Sequence, residues 1–333
     1  MVGSKTLKYI FHSGKNSKQV YYIRNFLRLC LLPDVWYRSQ RNAILQSLDD
    51  RPDKEYILSR VDYYCRLAQE TPLSGKAKRI ADFHRKGHRS VYFFDSYEFV
   101  RYFPTALRWQ FAFGDIRDLQ DEPSIVKSRP LVDNNENSIL LNMDKVRHFI
   151  FLNDKIPFVK KKDKAIFRGE VVGKPRRIEF LERWWGDPSC DVGEVGKHCV
   201  RPEWRGVMLT LAEHLEYKFV LSLEGNDVAS NLKWVMSSNS LAVMPRPTCE
   251  TWFMEGKLIP DYHYVEIKPD YSDLKERMEH FINHPDEAQT IIQHAHEWIA
   301  QFQDKQREKL ISLLVFDKYF RMTGQSKLLC SQE

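Results

Sequence analysis

Between Lys218 and Lys233 an apolar run, KFVLSL, reaches Glu224-Gly225 and gives way at once to a polar segment, NDVASNLK. An α/β domain uses that construction to end a buried strand and to start a helix whose free backbone N–H groups face a phosphate. A nucleotide or sugar nucleotide is therefore the first ligand to consider. Asn226 and Asp227 read as helix caps, and Ser230, Asn231 and Lys233 fall in the first two turns. Capping does not explain a lysine near a positive helix end, where the macrodipole disfavours cations; a bound anion would remove the conflict.

The surrounding pattern extends the same architecture. Residues 164–169, KAIFRG, read as a strand ending in glycine, followed by a loop with Gly173 and by Pro175 in the first turn of a helix, RRIEFLERWW. Further strands are expected at 217–223, 240–244 and 263–267, with a helix over 228–237 and another after the caps Ser272 and Asp273. Strand and helix alternate, which predicts a parallel sheet covered on both faces. The first half is mixed: 35–48 and 56–68 carry helical spacing, SVYFFDS and RWQFAFGD read as short buried strands, and 133–138 is a polar loop. The last 40 residues read as helix. A chain of 333 residues holds about two domains, with a boundary near residue 155. The expected division is 1–157, 158–305 and a terminal helical segment, 306–333.

Hydrophobic residues at 43% and charged residues at 29% describe a folded globular chain and exclude disordered or fibrous classes. The net charge of +6 is gathered in clusters such as Lys160-Lys161-Lys162 and Arg176-Arg177, which suit either a solvated face or a polyanionic partner. Six cysteines without a CxxC pair give neither a zinc site nor a disulfide framework. The first 18 residues contain no apolar core of signal-peptide length, and no 18-residue apolar run occurs, so a cytosolic location is the default.

Three groups of residues can carry chemistry. Arg168-Gly169 with Lys174, Arg176 and Arg177 combines a glycine turn, a helix start and cations, as a diphosphate site requires, although a plain strand-to-helix turn has the same composition. The P-loop pattern GxxxxGK[ST] is absent. Asp115 and Asp118, in FGDIRD, follow a predicted strand, where one of them can act as a general base or simply close a turn. Lys127 and Arg129, in VKSRP, add a polar cluster on the acceptor side. His294 and His296 diverge on a helix and are expected to face solvent rather than a metal, and HSGK near the N-terminus lacks the context of a phosphate loop.

Over roughly residues 105–300 the chain resembles glycosyltransferase family 90. The resemblance rests on IFRG with the downstream Arg176, on KFVLSLEGNDVASNLKWVMSSNSLAVMP, and on ETWFMEGKLIPDYHYVEIKPDYSDL, in that order. It implies a GT-B-like α/β fold: two Rossmann-like domains facing a cleft, with a C-terminal helix crossing back to the first. It also implies inverting, metal-independent transfer from a UDP-sugar, with no cofactor. By position, Arg168, Gly169 and Arg176 match the donor-binding turn, Gly225 to Asp227 and Ser230 to Lys233 the pyrophosphate turn, and Glu250 a place near the ribose. Asp115 or Asp118 matches the catalytic aspartate, with Asp115 preferred. Asn231 stands where many members have arginine, so Lys233 is expected to supply that charge.

The lack of secretory features, together with GNDVA and VKSRP, points to the bacterial lipopolysaccharide branch. The expected reaction moves glucose or galactose to an inner-core sugar at the cytosolic face of the inner membrane. Peripheral membrane contact is expected near FLRLCLLPDVWYR (26–38). A protein or capsule acceptor and a non-catalytic sugar-nucleotide binder are the alternatives; no nucleic-acid partner is expected.

Overall fold

The computed structural model describes residues 13–330. The N-terminal stretch read above for targeting signals lies largely outside them. The chain forms two units, one built from 17–146, 249–254 and the segment from 302 onward, the other from 13–16, 147–248 and 255–301.

The first unit opens with three helices, α1 (Lys18–Leu31), α2 (Asp34–Gln46) and α3 (Lys54–Tyr64). The strand β1 (Lys78–Arg79), helix α4 (Ser90–Val100) and strands β2 (Arg108–Trp109) and β3 (Phe111–Ala112) follow. Next come β4 (Ser124–Val126), β5 (Ser128–Pro130) and β6 (Ser138–Leu140). β3, β4 and β6 form a parallel sheet, in register at Phe111 with Ile125 and at Ile125 with Ile139. One expectation fails here: SVYFFDS is not a strand but the start of α4. Tyr92, Phe93, Phe94, Asp95, Phe99 and Val100 are all buried, so this helix is covered around most of its circumference and shows no helical stripe. Such a run cannot be told from a buried strand by periodicity.

A short helix, α5 (Lys145–His148), runs across the division at residue 146, and the second unit then contains the strand β7 (Lys162–Gly169), helix α6 (Pro175–Trp184) and strand β8 (Cys190–Glu194). Helix α7 (Leu211–His214) leads to β9 (Tyr217–Leu221), and helix α8 (Leu232–Met236) to β10 (Leu241–Met244). The strand β11 (Cys249–Thr251) lies in the first unit, paired antiparallel with β5. β12 (Val265–Glu266), α9 (Leu274–Asn283) and α10 (Pro285–Ala300) complete the second unit, and α11 (Lys305–Met322) and α12 (Ser326–Cys330) return to the first.

The sheet of the second unit is parallel throughout, in the order β12-β10-β9-β7-β8. Its strands are apolar because both faces are covered: Ala165, Phe167, Phe219, Leu221, Leu241 and Val243 share one core with Phe180, Leu181 and Trp184 of α6 and with Ile291 and Ile292 of α10, and Ile166, Val220 and Ala242, at the alternate positions of the other face, are buried as well. From β7 the chain winds to β8 at one edge, whereas from β9 it winds to β10 in the other direction. Right-handed crossovers in opposite directions put the following helices on opposite faces, so the sheet opens a crevice beyond the C-terminal ends of β7 and β9.

Candidate active site

The crevice is built by the loop from β7 to α6 and the loop from β9 to α8. Arg177, on the first turn of α6, ties them together. Its guanidinium donates to the carbonyl oxygens of Glu170 (2.9 Å), Leu223 (2.7 Å) and Glu224 (3.0 Å). Burial pushes its pKa down to about 10. Gly169 and Gly225 are small because this staple runs between them. A Cβ on Gly225 would come within 3.1 Å of Arg177 Nη2, and one on Gly169 within 2.7 Å of Phe167 Cζ and 3.3 Å of Arg177 Nη1.

Arg176, beside the staple, is 54% exposed. It donates to Glu224 Oε2 at 3.0 Å, and Glu224 is oriented in turn by the backbone N–H of Thr248 (2.8 Å) and its hydroxyl (2.6 Å). Lys174 reaches Glu170 at 3.0 Å. The β7 and β9 ends thus present one exposed, weakly held guanidinium with cations and backbone around it. That arrangement suits the phosphates of a nucleotide.

The turn after β9 differs from its expected form. No long helix starts at Asn226 or Asp227; α8 is five residues, Leu232–Met236, and its N-cap is Asn231, which makes no side-chain cap bond. Asp227 is buried and its carbonyl accepts from the Gly225 N–H (3.0 Å), while Asn226 is exposed. Asn231 Nδ2 donates to the carbonyl of Leu221 at 2.9 Å, which closes the strand end. The helix-terminus phosphate cradle anticipated from sequence is therefore absent, because six turn residues intervene between Gly225 and the helix. Ser230 is half-buried on this turn.

Lys233 is fully buried, with its ammonium 2.5 Å from Glu255 Oε1. The anion that its position demanded is a carboxylate of the protein itself. Arg168 is likewise occupied: it donates to the carbonyls of Phe167 (2.9 Å), Asp191 (2.8 Å) and Val207 (3.1 Å) and to Asp191 Oδ1 (2.6 Å).

In the other unit, Glu250 on β11 is completely buried, not poised beside a sugar. Arg129 Nε meets it at 2.8 Å, Arg66 approaches at 3.3 Å, and the Tyr63 hydroxyl donates to it. Arg129, also without solvent exposure, spends its remaining donors on the carbonyls of Tyr63 (2.7 Å) and Ser138 (3.1 Å). The antiparallel pairing of β11 with β5 places Glu250 opposite Arg129, so these two residues lock the strand in register. Burial lowers the pKa of Arg129. Lys127 is buried too and pairs with Asp115, whose carboxylate is partly exposed just beyond β3. Asp118 is exposed, and its backbone carbonyl accepts from Gln120.

His294 and His296 are half-buried rather than freely solvated. His294 stacks on Tyr262 (3.6 Å between ring centroids), and His296 Nε2 lies 2.9 Å from the Ser238 carbonyl. Among the described residues, His280, His284 and Glu287 bring potential metal-ligating atoms within 4.8 Å of one another at the junction of α9 and α10. Sequence reasoning did not single out Glu224 or Thr248. Their signal was the acid directly before Gly225, at the mouth of a switch-point crevice.

Comparison with known proteins shows the family. Over 304 residues the chain is 39% identical to the O-glucosyltransferase LpsA of Dichelobacter nodosus, which spans 91% of this chain and 95% of the relative. The model of the family described as glycosyl transferase family 90 matches residues 140–325, which include both strand ends of the crevice. This chain belongs to glycosyl transferase family 90 and is a glycosyltransferase.

Proposed function

We propose that this enzyme is an inverting transferase that moves glucose from a UDP-sugar to a hydroxyl of an inner-core lipopolysaccharide sugar at the cytosolic face of the inner membrane. The observation that carries the reading is the β7/β9 switch point, with Arg176 exposed at its mouth and Arg177 fixing both of its loops. The similar O-glucosyltransferase favours glucose over galactose as the sugar. In the GT-B arrangement we propose, the sheet unit holds the donor and the unit carrying Asp115 supplies the base.

The pyrophosphate would lie against Arg176 and the turn through Gly225, Asn226 and Ser230. Asp115, oriented by Lys127, would take the proton of the acceptor hydroxyl while that oxygen attacks the anomeric carbon from the face opposite UDP. The bond to UDP breaks as the new glycosidic bond forms. Arg176 meets the charge that grows on the departing diphosphate, the part a divalent ion would otherwise play. Lys233, Arg168, Arg129 and Glu250 hold the scaffold in this scheme and do not touch substrate.

Incubation with truncated lipopolysaccharide and a panel of UDP-hexoses, read by mass spectrometry, tests the reading. Addition of one hexose from UDP-glucose is expected. No transfer to any lipopolysaccharide acceptor, with transfer to a protein or capsule acceptor instead, would overturn the acceptor assignment.

A further inference from the structure

Helix α1 is apolar on two faces. With one it packs onto α4, where Tyr22 and Phe26 meet Phe94 at 6.1 and 5.0 Å, and the Tyr21 hydroxyl holds Asp95 at 2.7 Å. The other carries Val20, Ile23, Leu27 and Leu31, spaced three and four residues apart and 64%, 61%, 52% and 69% exposed. Leu32, Val35 and Trp36, at the turn into α2, extend the same exposed surface. The helix is already docked by its first face, so the second is not needed for the fold, and an exposed apolar stripe of this size marks a contact surface.

The charge around the stripe identifies the occupant. Residues 17–48 hold five cations, of which Arg41 is buried and Arg28 pairs with Glu98 at 2.7 Å, leaving Lys18 and Arg24 exposed and Arg38 half-buried; the single acid, Asp34, is already paired with Arg101 at 2.5 Å. Arg24 sits one helical turn from Val20 and Arg28, and Lys18 and Arg24 make no ion pair among the described residues. Behind Leu32 and Trp36 opens a cavity of about 240 Å³, in which the Lys309 ammonium lies 4.9 Å over the Tyr102 ring beside Arg28 and Arg101. A second copy of this chain would set basic flanks against basic flanks. An anionic bilayer meets both the apolar stripe and the cations around it, with Trp36 at the depth where indoles settle in membranes.

We infer that α1 and the start of α2 form an interfacial anchor that lays Val20, Ile23, Leu27 and Leu31 into an anionic membrane surface. The inference extends the proposed function, since it supplies the surface on which a lipid-linked acceptor is met, and it rests on that reading. The test is flotation of the full chain with vesicles of phosphatidylcholine alone and with phosphatidylglycerol added, for the wild type, Leu27→Ser/Leu31→Ser and Lys18→Glu/Arg24→Glu. Each leucine removed from the bilayer weakens partitioning by about tenfold, so the serine pair is expected to lose about 100-fold. The charge-reversed pair is expected to lose binding to the anionic vesicles selectively. Both variants keep transfer to a soluble truncated acceptor, which also reports that they fold.

Equal binding of all three proteins, or no preference for anionic vesicles, overturns the inference. A concentration-dependent dimer of the wild type that the serine pair abolishes, without vesicle binding, would assign the stripe to a second copy instead and also overturns it. Loss of transfer to every acceptor with intact vesicle binding would refute the functional reading alone.

Discussion

Replacing Arg177 with methionine removes the side chain that bonds the backbone of both loops of the crevice. Three charge-assisted hydrogen bonds to backbone carbonyls are lost, each worth about 2 kcal/mol. Against them stands the desolvation of the buried cation, which pushes its pKa down to about 10. It offsets part of that gain and leaves a net destabilisation of about 3 kcal/mol, and methionine retains the packing of the stem. For a unit of this size the midpoint of thermal unfolding should fall by about 9 °C. Arg176→Ala is the control, because its exposed pair with Glu224 contributes less than about 0.5 kcal/mol. Calorimetric melting and titration with UDP, run on both variants, separate the two roles. Arg177→Met should lower both stability and UDP affinity, and Arg176→Ala only affinity. Wild-type melting for Arg177→Met, or an equal loss of stability in both, would refute the staple.

Asp115→Asn should lower turnover by about 100-fold or more while UDP affinity stays within about twofold; full activity would pass the role of base to Asp118. Lys233→Met strands the buried Glu255 carboxylate and should cost about 3 kcal/mol of unfolding free energy in urea, whereas Lys233→Met/Glu255→Leu should recover most of it and still bind UDP. Loss of UDP binding in the folded double variant would return Lys233 to the phosphate site. His263 accepts the Ile259 N–H at Nδ1 (2.9 Å), and burial, with His294 nearby, pushes its pKa down to about 4. Its neutral form belongs to the folded state, so its stabilisation is complete above about pH 6.5 and is lost as the pH falls toward 4. Unfolding free energy should drop by about 2 kcal/mol across that window, and His263→Gln, measured in parallel, should flatten the slope.

The parallel sheet was legible because its strands are apolar on both faces and end in glycine or polar turns, a signal that local sequence carries in full. KAIFRG and KFVLSL appear where expected, as β7 and β9. α4 was misread because burial around most of the helix erases periodicity. The charges of the candidate site were legible as residues but not in their pairing. Arg176 lies at the switch point, yet Lys233, Arg129 and Glu250, the charges that looked most like ligands, are buried partners of Glu255 and of each other. Which cation faces a ligand and which faces a carboxylate is decided by long-range pairing, such as that of β11 with β5, and no local window contains both halves of such a pair. The six-residue turn between Gly225 and α8 was similarly hidden, since Asn226 and Asp227 suit a turn as well as they suit a cap.

The donor site is tested most directly by calorimetric titration of UDP into the wild-type chain and into Arg176→Ala at matched ionic strength. Saturable one-to-one binding that weakens about tenfold or more in the variant is the predicted result. Unchanged affinity in Arg176→Ala, or no UDP binding by the wild type, would contradict a donor site at the β7 and β9 strand ends.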